Sequence, residues 1–79
     1  MAELVLTPSI TEMTAEVYGA SNYNYFKFSI FKYGTNIEID STGGFIEDNY
    51  ITFNNLDPNT KYSVYCGCSY DGISSDITL

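Results

Sequence analysis

The chain has no histidine and no tryptophan, and among its 79 residues it has only three basic side chains, two prolines and two cysteines. Each shortage excludes something. Without histidine, the commonest general base and the commonest zinc ligand are both missing, and no serine or cysteine can have the usual imidazole partner. A non-enzyme is therefore expected. Three basic against ten acidic side chains give a formal charge of -7 and a sequence pI near 4.1. A surface of that sign repels phosphate backbones and anionic headgroups, so neither nucleic acid nor an anionic membrane is an expected partner. Residues 1–10 carry Glu3, have no basic stretch and contain no long apolar run. They read as neither a secretion signal nor a membrane anchor, so no membrane insertion is expected. The corresponding expectation for location is a protein made and kept in a cytoplasm, or leaving it by assembly or lysis.

What is present describes an ordered globule, because 44% of the residues are hydrophobic and 16% aromatic, with eight Tyr and five Phe. A chain of this length holds at most one domain, here 1–79, with a radius of gyration of roughly 12 Å. A core of this size seldom supplies more than ~3 to 5 kcal/mol without a staple. Support from a partner or an assembly is accordingly expected.

Alternation with a period of two dominates, and no stretch of helical length shows the 3.6-residue repeat. Strands are predicted at 3–7, 13–18, 25–33, 36–40, 50–53, 61–70 and 73–79. In the second, Met13, Ala15 and Val17 share the inner face. In the third, Phe26, Phe28 and Ile30 face one way, and Tyr25, Lys27, Ser29, Phe31 and Tyr33 the other. Ile37 and Ile39 alternate with Glu38 and Asp40 in the fourth, whose acids suit a sheet edge. The sixth puts Tyr62, Val64, Cys66 and Cys68 on one face and Ser63, Tyr65, Gly67 and Ser69 on the other. Turn formers separate these runs every 8 to 12 residues, the pattern of an all-β sandwich.

The segment from Phe53 to Cys66 resembles the E-to-F corner of the fibronectin type III family, with Leu56, Pro58, Thr60 and Tyr62 at alternate positions. In such a corner the tyrosine buries its ring and its hydroxyl bonds to the corner backbone. More loosely, the family's seven strands fall in order on the predicted runs. The resemblance implies a seven-stranded antiparallel β-sandwich of fibronectin type III or immunoglobulin-like type, acting as a binding or spacing module. Two features depart from the family: Val17 stands where strand B usually carries Trp, and the chain is short, mainly in its last strand. No integrin-type Arg-Gly-Asp is present.

Few residues invite metal or cofactor chemistry, and neither a metal nor a cofactor is expected. Cys66-Gly67-Cys68 offers two thiolates where a zinc site needs four ligands. Both cysteines continue the inner series of their strand, where a free thiol packs as a small hydrophobe. A bridge between them would be strained, and reduced thiols fit a cytoplasmic origin. Glu47-Asp48 reads as a solvated loop, and Asp57-Pro58-Asn59 as an Asx-type turn at the corner. Neither supplies the 6 to 8 oxygens calcium requires.

Two surfaces stand out as candidate partner sites. In the type III topology the loop holding Ser21, Asn22, Tyr23 and Asn24 would lie beside Tyr70, Asp71 and Gly72. Binding loops on such frames favour Tyr, Ser, Asn and Gly. The second is an aromatic patch of Tyr25, Phe31, Tyr33 and Tyr65 on the outer face of the third and sixth strands, which would mark a protein partner or simply stabilise the sheet. The chain resembles the small accessory proteins of bacteriophage virions that use immunoglobulin-like folds. The function this resemblance implies is that of a non-catalytic virion accessory protein, a capsid decoration or tail-associated module that docks on a larger coat protein. Such a role includes possible oligomerisation or assembly on the particle. The alternatives are a type III module cut from a larger secreted or cell-surface protein and mediating adhesion or spacing, an engineered binder, and a small enzyme or metal protein.

Overall fold

The structure, a computed structural model, describes residues 1–79. Seven strands form: β1 (Glu3–Pro8), β2 (Met13–Tyr18), β3 (Tyr25–Lys32), β4 (Glu38–Ser41), β5 (Tyr50–Phe53), β6 (Tyr62–Ser69) and β7 (Ile77–Thr78). They make two antiparallel sheets, ordered β1-β2-β5 and β4-β3-β6-β7. Ala15, Val17 and Phe53 from the first sheet and Phe26, Phe28, Ile30, Val64, Cys66 and Cys68 from the second meet in one buried cluster, as the alternation requires. Cys66 and Cys68 are free and fully buried in it.

The β3–β6 pair is the backbone of the larger sheet, with an unbroken register from Tyr25↔Ser69 to Lys32↔Tyr62. Phe26, Phe28 and Ile30 lie opposite Cys68, Cys66 and Val64, so a large side chain faces a smaller one at every inner position. At the foot of β6, Leu56 is buried and its N–H donates to the Thr11 carbonyl at 2.9 Å, tying the corner to the β1–β2 turn. The Asp57 N–H donates to the Tyr62 hydroxyl at 2.8 Å. Thr60 Oγ1 donates to the Pro58 carbonyl at 3.0 Å, and Asn55 and Asn59 take the left-handed conformations, with φ of 59° and 54°. Asp57 thus enters the turn through its backbone, while the asparagines bend the chain.

Beyond shifts of one residue at the ends of β1, β3 and β6, the structure departs from the alternation in three places. The fourth strand is Glu38–Ser41 rather than 36–40, because a register shift between Ile30 and Phe31 places a bulge beside Ile39. Asp40 lies opposite the core residue Ile30, and Ile37 and Ile39 are exposed. A bulge and an inward-phase acid both discourage pairing at a sheet edge, which is where β4 lies.

The second difference is at the end of the chain, where only Ile77–Thr78 of 73–79 is a strand. Asp71 Oδ1 accepts from the N–H groups of Ile73 and Ser74 at 2.9 and 3.4 Å, and Asp76 Oδ2 accepts from the Tyr70 N–H at 2.8 Å. These carboxylates take the donors that a ladder would use, and pairing resumes only where the Asp76 N–H donates to the Cys68 carbonyl. The 71–76 loop folds back onto β6, so that a Cβ at Gly67 would collide with the Ser75 side chain.

Third, the segment from Thr42 to Asn49 has structure although its alternation fails. The Thr42 N–H donates to the Phe28 carbonyl at 3.0 Å, and Phe26 and Ile46 exchange two backbone bonds of 2.8 Å. Asn49 then bonds Val17 in both directions at 2.9 Å. This strap carries the chain from the edge of one sheet to the edge of the other.

Candidate functional site

The β2–β3 loop and the β6–β7 loop meet at one end of the two sheets. A turn closed by the Tyr23 N–H on the Ala20 carbonyl, at 3.0 Å, aims the first loop. The Asn24 N–H donates to the Ser69 carbonyl at 3.1 Å and fixes that loop to the top of β6. Tyr23 and Tyr70 stack with ring centroids 4.6 Å apart and planes 25° from parallel. Asn22 Nδ2 reaches the Tyr70 hydroxyl and Asn24 Nδ2 the Tyr70 carbonyl, each at 3.4 Å. Tyr23 packs on the core, whereas half of Tyr70 is exposed. The contact with the Tyr70 phenol, followed by burial, holds the Tyr23 phenol above its ordinary value.

Asp71 organises the second loop. Besides Ile73 and Ser74, its Oδ1 accepts from the hydroxyl of the buried Ser69 at 3.1 Å, and the Ser69 Oγ accepts from the Gly72 N–H at 3.0 Å. The Ile73 N–H first, then the Ser69 hydroxyl, hold the Asp71 carboxyl below the usual carboxylate range. Asp71 is therefore committed to its own loop, and its role at this surface is to present Tyr70 and the exposed Ile73.

Tyr25 belongs to this end and not to the sheet-face patch with which its phase groups it. It is the first residue of β3, paired with Ser69, and its ring lies where a side chain at Gly72 would stand, 3.1 to 3.3 Å from a Cβ built there. Gly72 has a φ of +75°, so both its backbone and its neighbour require glycine. The remaining aromatics form a separate patch lower on the outer face. Phe31 and Tyr65 meet edge to face at 5.7 Å, and Lys61 Nζ lies 5.6 Å from the centre of the Tyr33 ring. Higher on the same face, Lys27 Nζ stands 4.9 Å over the Phe45 ring.

Tyr23, Tyr70, Asn22, Asn24 and Tyr25 thus come together at the loop end, while Phe31, Tyr65 and Tyr33 lie apart from them. Sequence reasoning missed Ser69 and Asp76 as supports. The only signal for them was a pair of aspartates, Asp71 and Asp76, bracketing a glycine turn. No protein-family model matches the chain, and no curated protein is similar to it in sequence.

Proposed function

We propose that the protein is a non-catalytic protein-binding module of fibronectin type III-like or immunoglobulin-like architecture, and that it docks through its loop end. The strand order β1-β2-β5 and β4-β3-β6-β7, with the Leu56–Tyr62 corner at the foot of β6, supports the architecture. The observation that carries the docking surface is the Tyr23–Tyr70 stack. It joins two loops, with Tyr70 held by bonds from Asn22 and Asn24 of the opposite loop, and offers a half-exposed aromatic face. Rigid aromatic area supported by a scaffold binds at low entropic cost, because its rotamers are fixed before contact.

The specific form of this reading is a virion accessory protein on a larger coat protein. The net charge of -7 supports it, since an acidic module stays off packaged nucleic acid and remains soluble when displayed outward. Attachment to an assembled coat would also add stability by mass action. The test fractionates native source material by mass and detects the chain by its peptides. Co-migration with megadalton particles is the expected result, and migration at small size overturns the coat-docking role. Tyr23→Ala and Tyr70→Ala should lower attachment by about tenfold or more, the scale of an aromatic anchor, with Phe31→Ala and Tyr65→Ala close to the parent. The reverse pattern would move the docking surface to the sheet face.

A further inference from the structure

A pocket of about 380 Å³ opens beside Tyr23 at the same end of the molecule. Its floor is the little that remains accessible of Val17, Ala20 and Phe26, all buried core residues. Tyr18, Glu47 and Asn49 stand at its rim. The walls are built before any ligand arrives. Asn49 is bonded to Val17 through two hydrogen bonds of 2.9 Å, Ile46 to Phe26 through two of 2.8 Å, and Tyr23 to Ala20 through one of 3.0 Å. The strap between the sheets therefore forms one wall, and it holds Glu47 between two anchored neighbours.

The chemistry of the pocket is one-sided. Glu47 is the one charged side chain in its lining, and the Met1 backbone packs against Gly19 at its edge. At the rim, the Tyr18 hydroxyl donates to Glu16 at 3.1 Å, which holds that phenol above its ordinary value. Lys27 and Lys61 are engaged elsewhere, over Phe45 and Tyr33. An anionic ligand would meet Glu47 and the field of a molecule of charge -7. A purely apolar one would strip water from the carboxylate without replacing it. A long basic side chain meets both demands, laying methylenes on the apolar floor and bringing a cation to the rim beside the Tyr23 ring.

We propose that this pocket receives a lysine or arginine side chain of the partner protein, with Glu47 as its counter-ion and Val17, Ala20 and Phe26 under its stem. The proposal rests on the loop-end reading and names the chemistry that end selects. The test uses the isolated ¹⁵N-labelled protein at low ionic strength, with n-butylguanidinium as the probe and pentanoate as the anionic control. Saturable amide shifts at Ala20, Tyr23, Phe26 and Glu47 are expected with the cation alone. In Glu47→Gln, an exposed and conservative change, the apparent affinity should fall by about fivefold, the upper range of a solvent-accessible ion pair. Shifts of equal size with pentanoate, no shifts at these residues, or an undiminished affinity in Glu47→Gln would each overturn the assignment. No partner enters this titration, so its failure is distinct from that of the loop-end reading, which is judged by attachment of Tyr70→Ala.

Discussion

The Tyr62 hydroxyl accepts one bond, from the Asp57 N–H at 2.8 Å, and that bond closes the corner between β5 and β6. Tyr62→Phe keeps the ring and removes the acceptor. The site is exposed enough for water to reach the freed N–H, so the expected loss is about 1 kcal/mol, read as a lowered denaturant midpoint at unchanged m-value. Cys66 acts through protonation instead. Burial, reinforced by the neighbouring Cys68, pushes its thiol from an ordinary value of 9.0 up to about 12. Because the native value is the higher one, the folded protein holds the proton more tightly. The corresponding stability is complete below pH 9 and is lost as the pH rises from 9 toward 12. A series of melting temperatures between pH 8 and 11 should therefore fall more steeply for the parent than for Cys66→Ala. At pH 8 both thiols should resist alkylation until denaturant is added, and rapid labelling of the native protein would contradict their place in the core.

At the scale of elements, the shortest strand depends on a loop. Gly67 lies in the outer face of β6, and the 71–76 loop covers it so closely that an added Cβ would overlap the Ser75 side chain. Gly67→Ala should cost about 1 to 3 kcal/mol, the range of an overpacked site, and should loosen β7 before the rest of the sheet. Ser75→Ala removes the nearest atom, so the double variant should recover a substantial part of the loss, and a double-mutant cycle with no coupling would refute the contact. The same region shows where the sequence was legible and where it was not. Alternation located β2, β3 and β6 to within two residues, because each buries one face against a single core and a slip would reverse every side chain. The Leu56–Tyr62 spacing marked the corner, and only the topology implied by the fibronectin type III resemblance placed the loop of Tyr23 beside Tyr70. What escaped was set by side-chain bonds to the backbone, which leave no periodic trace. Asp71 and Asp76 unmake most of the last strand, Thr42 and Ile46 build a strap from an irregular run, and that strap brings Glu47 to the pocket. Tyr25 has the phase of the sheet-face patch, but its place at the first rung of β3 puts it under the loop.

The molecule measures 35 × 21 × 18 Å and carries ten acids and three lysines. At 10 mM salt the Debye length of about 30 Å exceeds two of these dimensions, so almost every carboxylate repels every other; at 0.15 M it is about 8 Å, and only neighbours interact. Folding brings these charges together, whereas the unfolded chain separates them. Raising the salt from 10 to 150 mM should therefore raise the melting temperature by a few degrees, since about 1 kcal/mol corresponds to roughly 4 to 8 °C in a domain of this size. Attachment through a cationic side chain at Glu47 should respond in the opposite sense, because salt screens the attraction that steers the partner in, and its association rate should fall over the same range. The two measurements share one buffer series and separate two uses of the same charge. A melting temperature that falls with salt would mean that net attraction, not repulsion, governs the folded surface. An association rate indifferent to salt would mean that the stacked tyrosines dock the partner without help from the field.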